Sequence, residues 1–164
     1  MYIFICENSP NGILTGVYDA WSLKIEKNCS HADIFLLSEQ PDNYELFNEF
    51  YTVNPSPIKT EKVASTLRRK LGQDFYDKIL SAILAVELSS KKKMDKANAV
   101  YQTIVTALHS PHGAKVLEHL GNPYIYRVFE LSRATASEAH HLKGFLRFSE
   151  LKNGILFSRI HPKN

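Results

Sequence analysis

The stretch Glu138-Ala-His-His-Leu-Lys-Gly-Phe-Leu-Arg-Phe148 joins a helical pattern to a strand pattern across one glycine. Polar residues recur at helical spacing before Gly144, and apolar residues alternate with polar ones after it. Together with the elements predicted for the rest of the chain, these two patterns indicate an α+β domain. The same junction gathers Glu138, His141, Lys143 and Arg147, so it is also the first place to search for a functional site.

Outward from this junction, the remaining sequence predicts helices between two groups of strands. Asn153-Gly154 is a strong signal for a type I′ hairpin turn near the end of the chain. We therefore predict a mainly helical α+β domain with a small antiparallel sheet, built from the N-terminal strands and the C-terminal β-hairpin. The predicted strands are 2–6, 34–37, 49–53, 145–151 and 156–160, and the predicted helices are 12–26, 58–71, 75–86, 97–108, 114–120 and 122–143.

Composition places the chain among globular proteins. Its 164 residues, 44% of them hydrophobic and 23% charged, suit a single domain over residues 1–164. The apolar runs are too short for a membrane span, and the first residues lack the basic start of a signal peptide. We therefore expect no membrane association. Cys6 and Cys29 have no metal-binding spacing, so we expect free thiols in a cytoplasmic protein.

Charge is distributed unevenly along the chain. Residues 1–58 contain two lysines and eight carboxylates, whereas residues 59–164 contain eighteen lysines and arginines and nine carboxylates. A basic region of this kind favours polyanions such as nucleic acid. The alternative is a solvated surface without a partner.

The last predicted helix carries a polar stripe of Arg127, Glu130, Glu138 and His141. One interpretation is a row of ion pairs three residues apart, which stabilise the helix slightly. The other is a polar groove in which Glu138 and His141 act as general acid and base. Glu138-x-x-His141 matches half of a di-iron site, but the sequence lacks the other half, so we expect no metal and no cofactor.

Arg147 shares a strand face with apolar residues, where an unpaired guanidinium is costly. Its predicted partner is Glu130 or Glu138, and the alternative partner is a nucleic-acid phosphate. Arg127 and Lys143 are the neighbouring cations that we assign to the same nucleic-acid contact.

Two basic groups lie about 25 residues apart on helices that we expect to be neighbours. They form one predicted nucleic-acid patch, although cations near a helix end also suit the helix dipole without any partner. The residues assigned to the patch are Arg68, Arg69, Lys91, Lys92 and Lys93.

Four motifs carry a resemblance to a bacterial family of unknown function that is linked to DNA metabolism and repair. They are Gly12-x-Leu-Thr-Gly-Val-Tyr-Asp-Ala-Trp21, Tyr126-Arg-Val-x-Glu130, Glu138-x-His140 and Gly144-Phe-Leu-Arg-Phe148. The resemblance implies a DNA transaction and a radical-SAM protein partner encoded nearby, since members are typically found beside one. A related domain is fused to uracil-DNA-glycosylase-like domains. The family residues present are Arg127, Glu130, Glu138, His140, Gly144, Phe145, Arg147 and Phe148.

The chain departs from this family in two respects. His141 stands where members commonly have an arginine, which weakens a phosphate contact there. Members also continue beyond the hairpin into a further helical segment, so we expect a shortened form of a longer family member.

Three functions follow as hypotheses. The first is a DNA repair or modification protein that binds nucleic acid through a basic helical surface. The second is an enzyme that acts on a damaged or modified base with Glu138 and His141 as acid and base. The third is an adaptor for the radical-SAM protein, with an incidental basic surface.

Overall fold

The computed structural model describes residues 1–41, 43–86, 94–144, 149–150 and 156–157. Short 3₁₀ helices at His31–Asp33 and Gly113–Glu118 accompany the main elements. These main elements are β1 (Tyr2–Ile5), α1 (Pro10–Lys27), β2 (Ile34–Leu37), β3 (Glu49–Thr52), α2 (Pro57–Leu71), α3 (Gln73–Leu84), α4 (Lys96–His109), α5 (Pro123–Gly144), β4 (Ser149–Glu150) and β5 (Leu156–Phe157).

The N-terminal strands form a parallel sheet in the order β2-β1-β3. Tyr2 lies opposite Ile34 on one side and opposite Glu49 on the other. Helix α1 returns the chain between β1 and β2, which is the crossover that a parallel pair requires. The predicted antiparallel sheet is therefore wrong for these strands.

The C-terminal hairpin does not join that sheet within the described residues. Both edges of β1 are already paired, so no edge of the first strand is available to it. Instead β4 pairs with β5 in an antiparallel two-stranded sheet, with Ser149 opposite Phe157. The predicted turn at 152–155 lies outside the described residues.

Helix α1 packs closely on the sheet because of Gly16. A Cβ atom at this position would collide with the Cys6 Sγ atom on the chain following β1. Burial, followed by the charges of Asp95 and Asp19, raises the pKa of the Cys6 thiol to about 12, which keeps it protonated. Cys6 and Cys29 are both free, as predicted.

The helices share one hydrophobic core with the sheet. Its fully buried side chains include Phe75 on α3, Tyr101 on α4 and Ile125 on α5. The mainly helical character is confirmed, and the predicted α-helices begin and end within about two residues of the observed bounds, which is the usual uncertainty of helix ends. None of the described helices combines the length and apolar character needed to cross a membrane.

Candidate functional site

Helix α2 is the most basic element in the described part of the chain. Ser56 caps its first turn through the Lys59 N–H group, and Pro57 occupies its first position. Glu61 is its one carboxylate. Its cations are Lys59, Lys62, Arg68, Arg69 and Lys70.

Two of these cations already have partners within the protein. The Lys59 Nζ atom lies 2.6 Å from the Asp19 carboxylate. Arg68 forms a 3.2 Å ion pair with Glu61, and its guanidinium also stacks 4.2 Å from the centroid of the Tyr76 ring. Arg68, a residue of the predicted nucleic-acid patch, is thus already paired with other residues of the protein.

Three exposed cations on α2 remain, namely Lys62, Arg69 and Lys70. None of them forms an ion pair with any residue that the structure describes. Lys62 does lie over the Tyr18 ring, with its Nζ atom 5.6 Å from the ring centroid. These three side chains are consequently available to bind an anion from solution.

Buried polar contacts hold α2 against α1. Thr15 is fully buried, and its hydroxyl accepts a 2.9 Å hydrogen bond from the Ser56 N–H group. The same hydroxyl lies 3.3 Å from the Ser56 carbonyl and 3.3 Å from the Thr60 hydroxyl. Because Ser56 is the cap of α2, this contact fixes the start of the basic helix relative to α1.

A groove of about 360 Å³ runs between α1 and α2. Buried Val17, Leu67 and Ile104 lie among its lining residues and make its deeper part apolar. Its more exposed lining residues are Tyr18, Trp21, Ser22, Ile25, Lys62, Thr66 and Lys70. The available lysines Lys62 and Lys70 therefore border an apolar cavity that also contains two aromatic rings.

Trp21 belongs to an aromatic cluster at this groove. Its ring lies 4.5 Å from that of His31 and 6.1 Å from that of His109, measured between centroids. The His31 Nδ1 atom lies 2.6 Å from the hydroxyl of buried Tyr101. Burial, with help from His109 and Lys24, lowers the pKa of His31, so its imidazole is neutral near pH 7.

Arg127, predicted as a nucleic-acid contact, is buried. Its Nε atom donates a 3.1 Å hydrogen bond to the Met94 carbonyl, and Nη1 lies 3.5 Å from the Glu130 carboxylate. Only 7% of its side chain is exposed, compared with 38% for Glu130. Arg127 thus links α5 to the residues before α4.

The other predicted site residues are not brought together by the described contacts. Glu138 is exposed on α5. His141 and Lys143 continue the α5 backbone, but their side chains lie outside the described part of the structure. Arg147 and the lysines Lys91, Lys92 and Lys93 also lie outside it, so their predicted roles stay predictions.

Sequence reasoning missed the groove. Tyr18, Trp21 and Ile25 recur at helical spacing, which is typical of the buried face of a helix. Ile25 is in fact 68% exposed. The available signal was the length of the apolar stripe on α1, which continues beyond the part of the helix that other elements cover.

Residues 94–164 match the model of a family described as a domain of unknown function, DUF4130. The matched range begins just before α4 and includes α5, whereas α1, α2 and most of the groove precede it. No curated protein and no solved structure matches the chain.

Proposed function

We propose that this protein binds nucleic acid through the exposed cations of α2. The observation that carries the proposal is the set of Lys62, Arg69 and Lys70, which are exposed and form no ion pair with a described residue. Cations that are already paired gain little from a phosphate, because they must first give up their carboxylate. Unpaired ones release the counterions of the nucleic acid on binding.

The spacing of these cations suits a phosphate backbone. Lys62 and the Arg69–Lys70 pair are about two helical turns apart, or roughly 11 Å along the axis. That distance allows the two ends to contact different phosphates. The Arg69 guanidinium can donate two parallel hydrogen bonds to one phosphate, whereas each lysine acts as a point charge.

The resemblance of the chain to a bacterial family linked to DNA metabolism supports DNA as the nucleic acid. It also supports repair or modification as the biological setting, and a radical-SAM protein as a candidate partner. The cations of α2 do not by themselves distinguish DNA from RNA, because both present the same phosphates. Repair is therefore the narrower part of the proposal, and polyanion binding is the broader part.

Fluorescence anisotropy with labelled single-stranded and double-stranded oligonucleotides tests the proposal, at low and at physiological salt. We expect micromolar or tighter binding at low salt and much weaker binding at physiological salt. Absence of binding to either oligonucleotide at low salt would contradict it. The adaptor hypothesis would then be the better explanation, and the radical-SAM protein would become the reagent to test.

A further inference from the structure

We infer that the groove between α1 and α2 receives an unpaired nucleobase, so that the protein prefers single-stranded to double-stranded nucleic acid. This inference rests on the nucleic-acid binding proposed above and names the form of ligand that the same surface selects. It follows from the position of an apolar, aromatic cavity directly beside the available cations of α2.

The cavity has the size and polarity for a base. Its volume of about 360 Å³ lies at the small end of the range for ligand sites, which runs from roughly 300 to 1,000 Å³. Val17, Leu67 and Ile104 offer an apolar floor, and Tyr18 and Trp21 contribute aromatic rings to the lining. Aromatic platforms beside a basic groove are the usual means of binding single strands.

The cations are placed to hold the phosphates next to such a base. Lys62 and Lys70 both line the groove, and both come from α2. A base that enters the groove carries its phosphodiester groups at the rim, since they cannot enter an apolar cavity. The combination of an apolar floor with a cationic rim therefore fits a nucleotide unit as a whole.

Discrimination between bases should be weak. The Ser22 hydroxyl donates to the Tyr18 carbonyl at 3.0 Å, and the Thr66 hydroxyl donates to the Lys62 carbonyl at 2.7 Å. With their protons engaged inside the helices, these two hydroxyls can only accept hydrogen bonds from a base. Stacking is then the main contribution of the base to binding, and stacking tolerates every base.

Paired DNA does not present its bases in this way. A base in a duplex must be unstacked and unpaired before it can enter a pocket, which costs free energy that a single strand does not require. A duplex can still bind to Lys62, Arg69 and Lys70 through its phosphates. The groove therefore favours a single strand over a duplex, although the cations alone would bind both.

Trp21 makes the inference directly measurable, because it is the one tryptophan in the chain. The experiment titrates the full chain with oligothymidylate, and with an abasic oligonucleotide of the same length, under selective excitation of tryptophan. We expect oligothymidylate to change the Trp21 fluorescence, and the abasic strand to bind roughly 5- to 150-fold more weakly without changing it.

A pair of variants controls for effects that are unrelated to the groove. Thr66→Phe fills the groove from α2 and leaves every cation in place, whereas Ser65→Phe adds the same ring at an exposed neighbouring position outside the groove lining. We expect Thr66→Phe to abolish the fluorescence change and to reduce oligothymidylate affinity to that of the abasic strand. Ser65→Phe should leave both unchanged.

The possible results separate the inference from the proposed function. Equal, salt-dependent binding of both strands without a fluorescence change would overturn the inference and leave nucleic-acid binding intact. No binding of either strand would overturn both. Dodecanoate, which has an apolar chain and a carboxylate but no base, is titrated as a third ligand. A change in Trp21 fluorescence with dodecanoate but not with oligothymidylate would overturn the inference in favour of an amphipathic anion.

Discussion

Two cations predicted as nucleic-acid contacts, Arg69 on α2 and Arg127 on α5, lie in regions that the fold treats differently. On α2, Lys62, Arg69 and Lys70 are exposed and available. On α5, Arg127 is buried against the Met94 carbonyl and the Glu130 carboxylate. The same type of charge is exposed to solvent in the first region and forms a structural link in the second.

The difference comes from what each helix packs against. Helix α5 packs against both α3 and α4, so its polar stripe lies partly within an interface. Helix α2 packs on α1 and α3 through buried Ala64, Leu67 and Leu71 and leaves Lys62, Arg69 and Lys70 exposed. A cation inside an interface is costly unless its hydrogen bonds are satisfied there.

Among the changes that test this difference between α2 and α5, Arg127→Met should have the largest effect. The substitution leaves a partly buried carbonyl and a partly buried carboxylate without this partner, so we expect a loss of about 2–4 kcal/mol in the free energy of unfolding. Urea denaturation measures it. Arg133→Met is the matched control, because Arg133 is exposed on the same helix and should lose less than about 1 kcal/mol. Equal losses in the two variants would show that the contacts of Arg127 stabilise the fold no more than those of an exposed arginine.

A smaller effect is expected from Thr15→Val, which removes the buried hydroxyl that holds the start of α2. Valine keeps the shape but leaves the Ser56 N–H group without its acceptor, which costs about 1–3 kcal/mol in stability. Thermal and urea unfolding measure this loss. Because α2 carries the cations proposed to bind nucleic acid, oligonucleotide affinity should also fall at temperatures where the variant is fully folded. Unchanged affinity there would show that the cations do not depend on this contact.

The smallest effect is expected from pH, through His31 near the groove. The pKa of His31 is lowered in the folded state, so below about pH 6.5 the unfolded chain takes up a proton that the folded chain does not. Stability due to this group is therefore complete above about pH 6.5 and declines as pH falls through the folded pKa. Urea unfolding at about pH 7.5 and about pH 5.5 should show a smaller decline in His31→Gln than in the unsubstituted protein. His112→Gln, at an exposed position, should not reduce the decline.

The helices could be predicted from the sequence because their apolar residues repeat at helical spacing between clear start and stop residues. Pro57 and Gly72 bound α2, and Pro123 begins α5. The direction of the sheet was predicted wrongly because the hairpin signal at Asn153-Gly154 outweighed the order of the first elements. A strand, a long helix and a second strand indicate a parallel pair, since the helix returns the chain to the same end of the sheet.

The candidate site could be predicted only in part. The basic character of α2 is visible in the residues Arg68 and Arg69, yet the sequence does not show that Glu61 and Tyr76 engage the first of them. The burial of Arg127 depends on the chain before α4, which contacts it from 33 residues away. Such contacts arise from packing between distant segments, and periodicity within one helix does not contain them.

The most direct test of the account is the salt dependence of oligonucleotide binding for a variant in which Lys62, Arg69 and Lys70 are all changed to alanine. A variant with Lys78→Ala on α3 controls for loss of a cation elsewhere. We predict that the slope of log affinity against log salt becomes shallower by about three in the triple variant and stays unchanged in the control. An unchanged slope in a folded triple variant would contradict the assignment of nucleic-acid binding to α2.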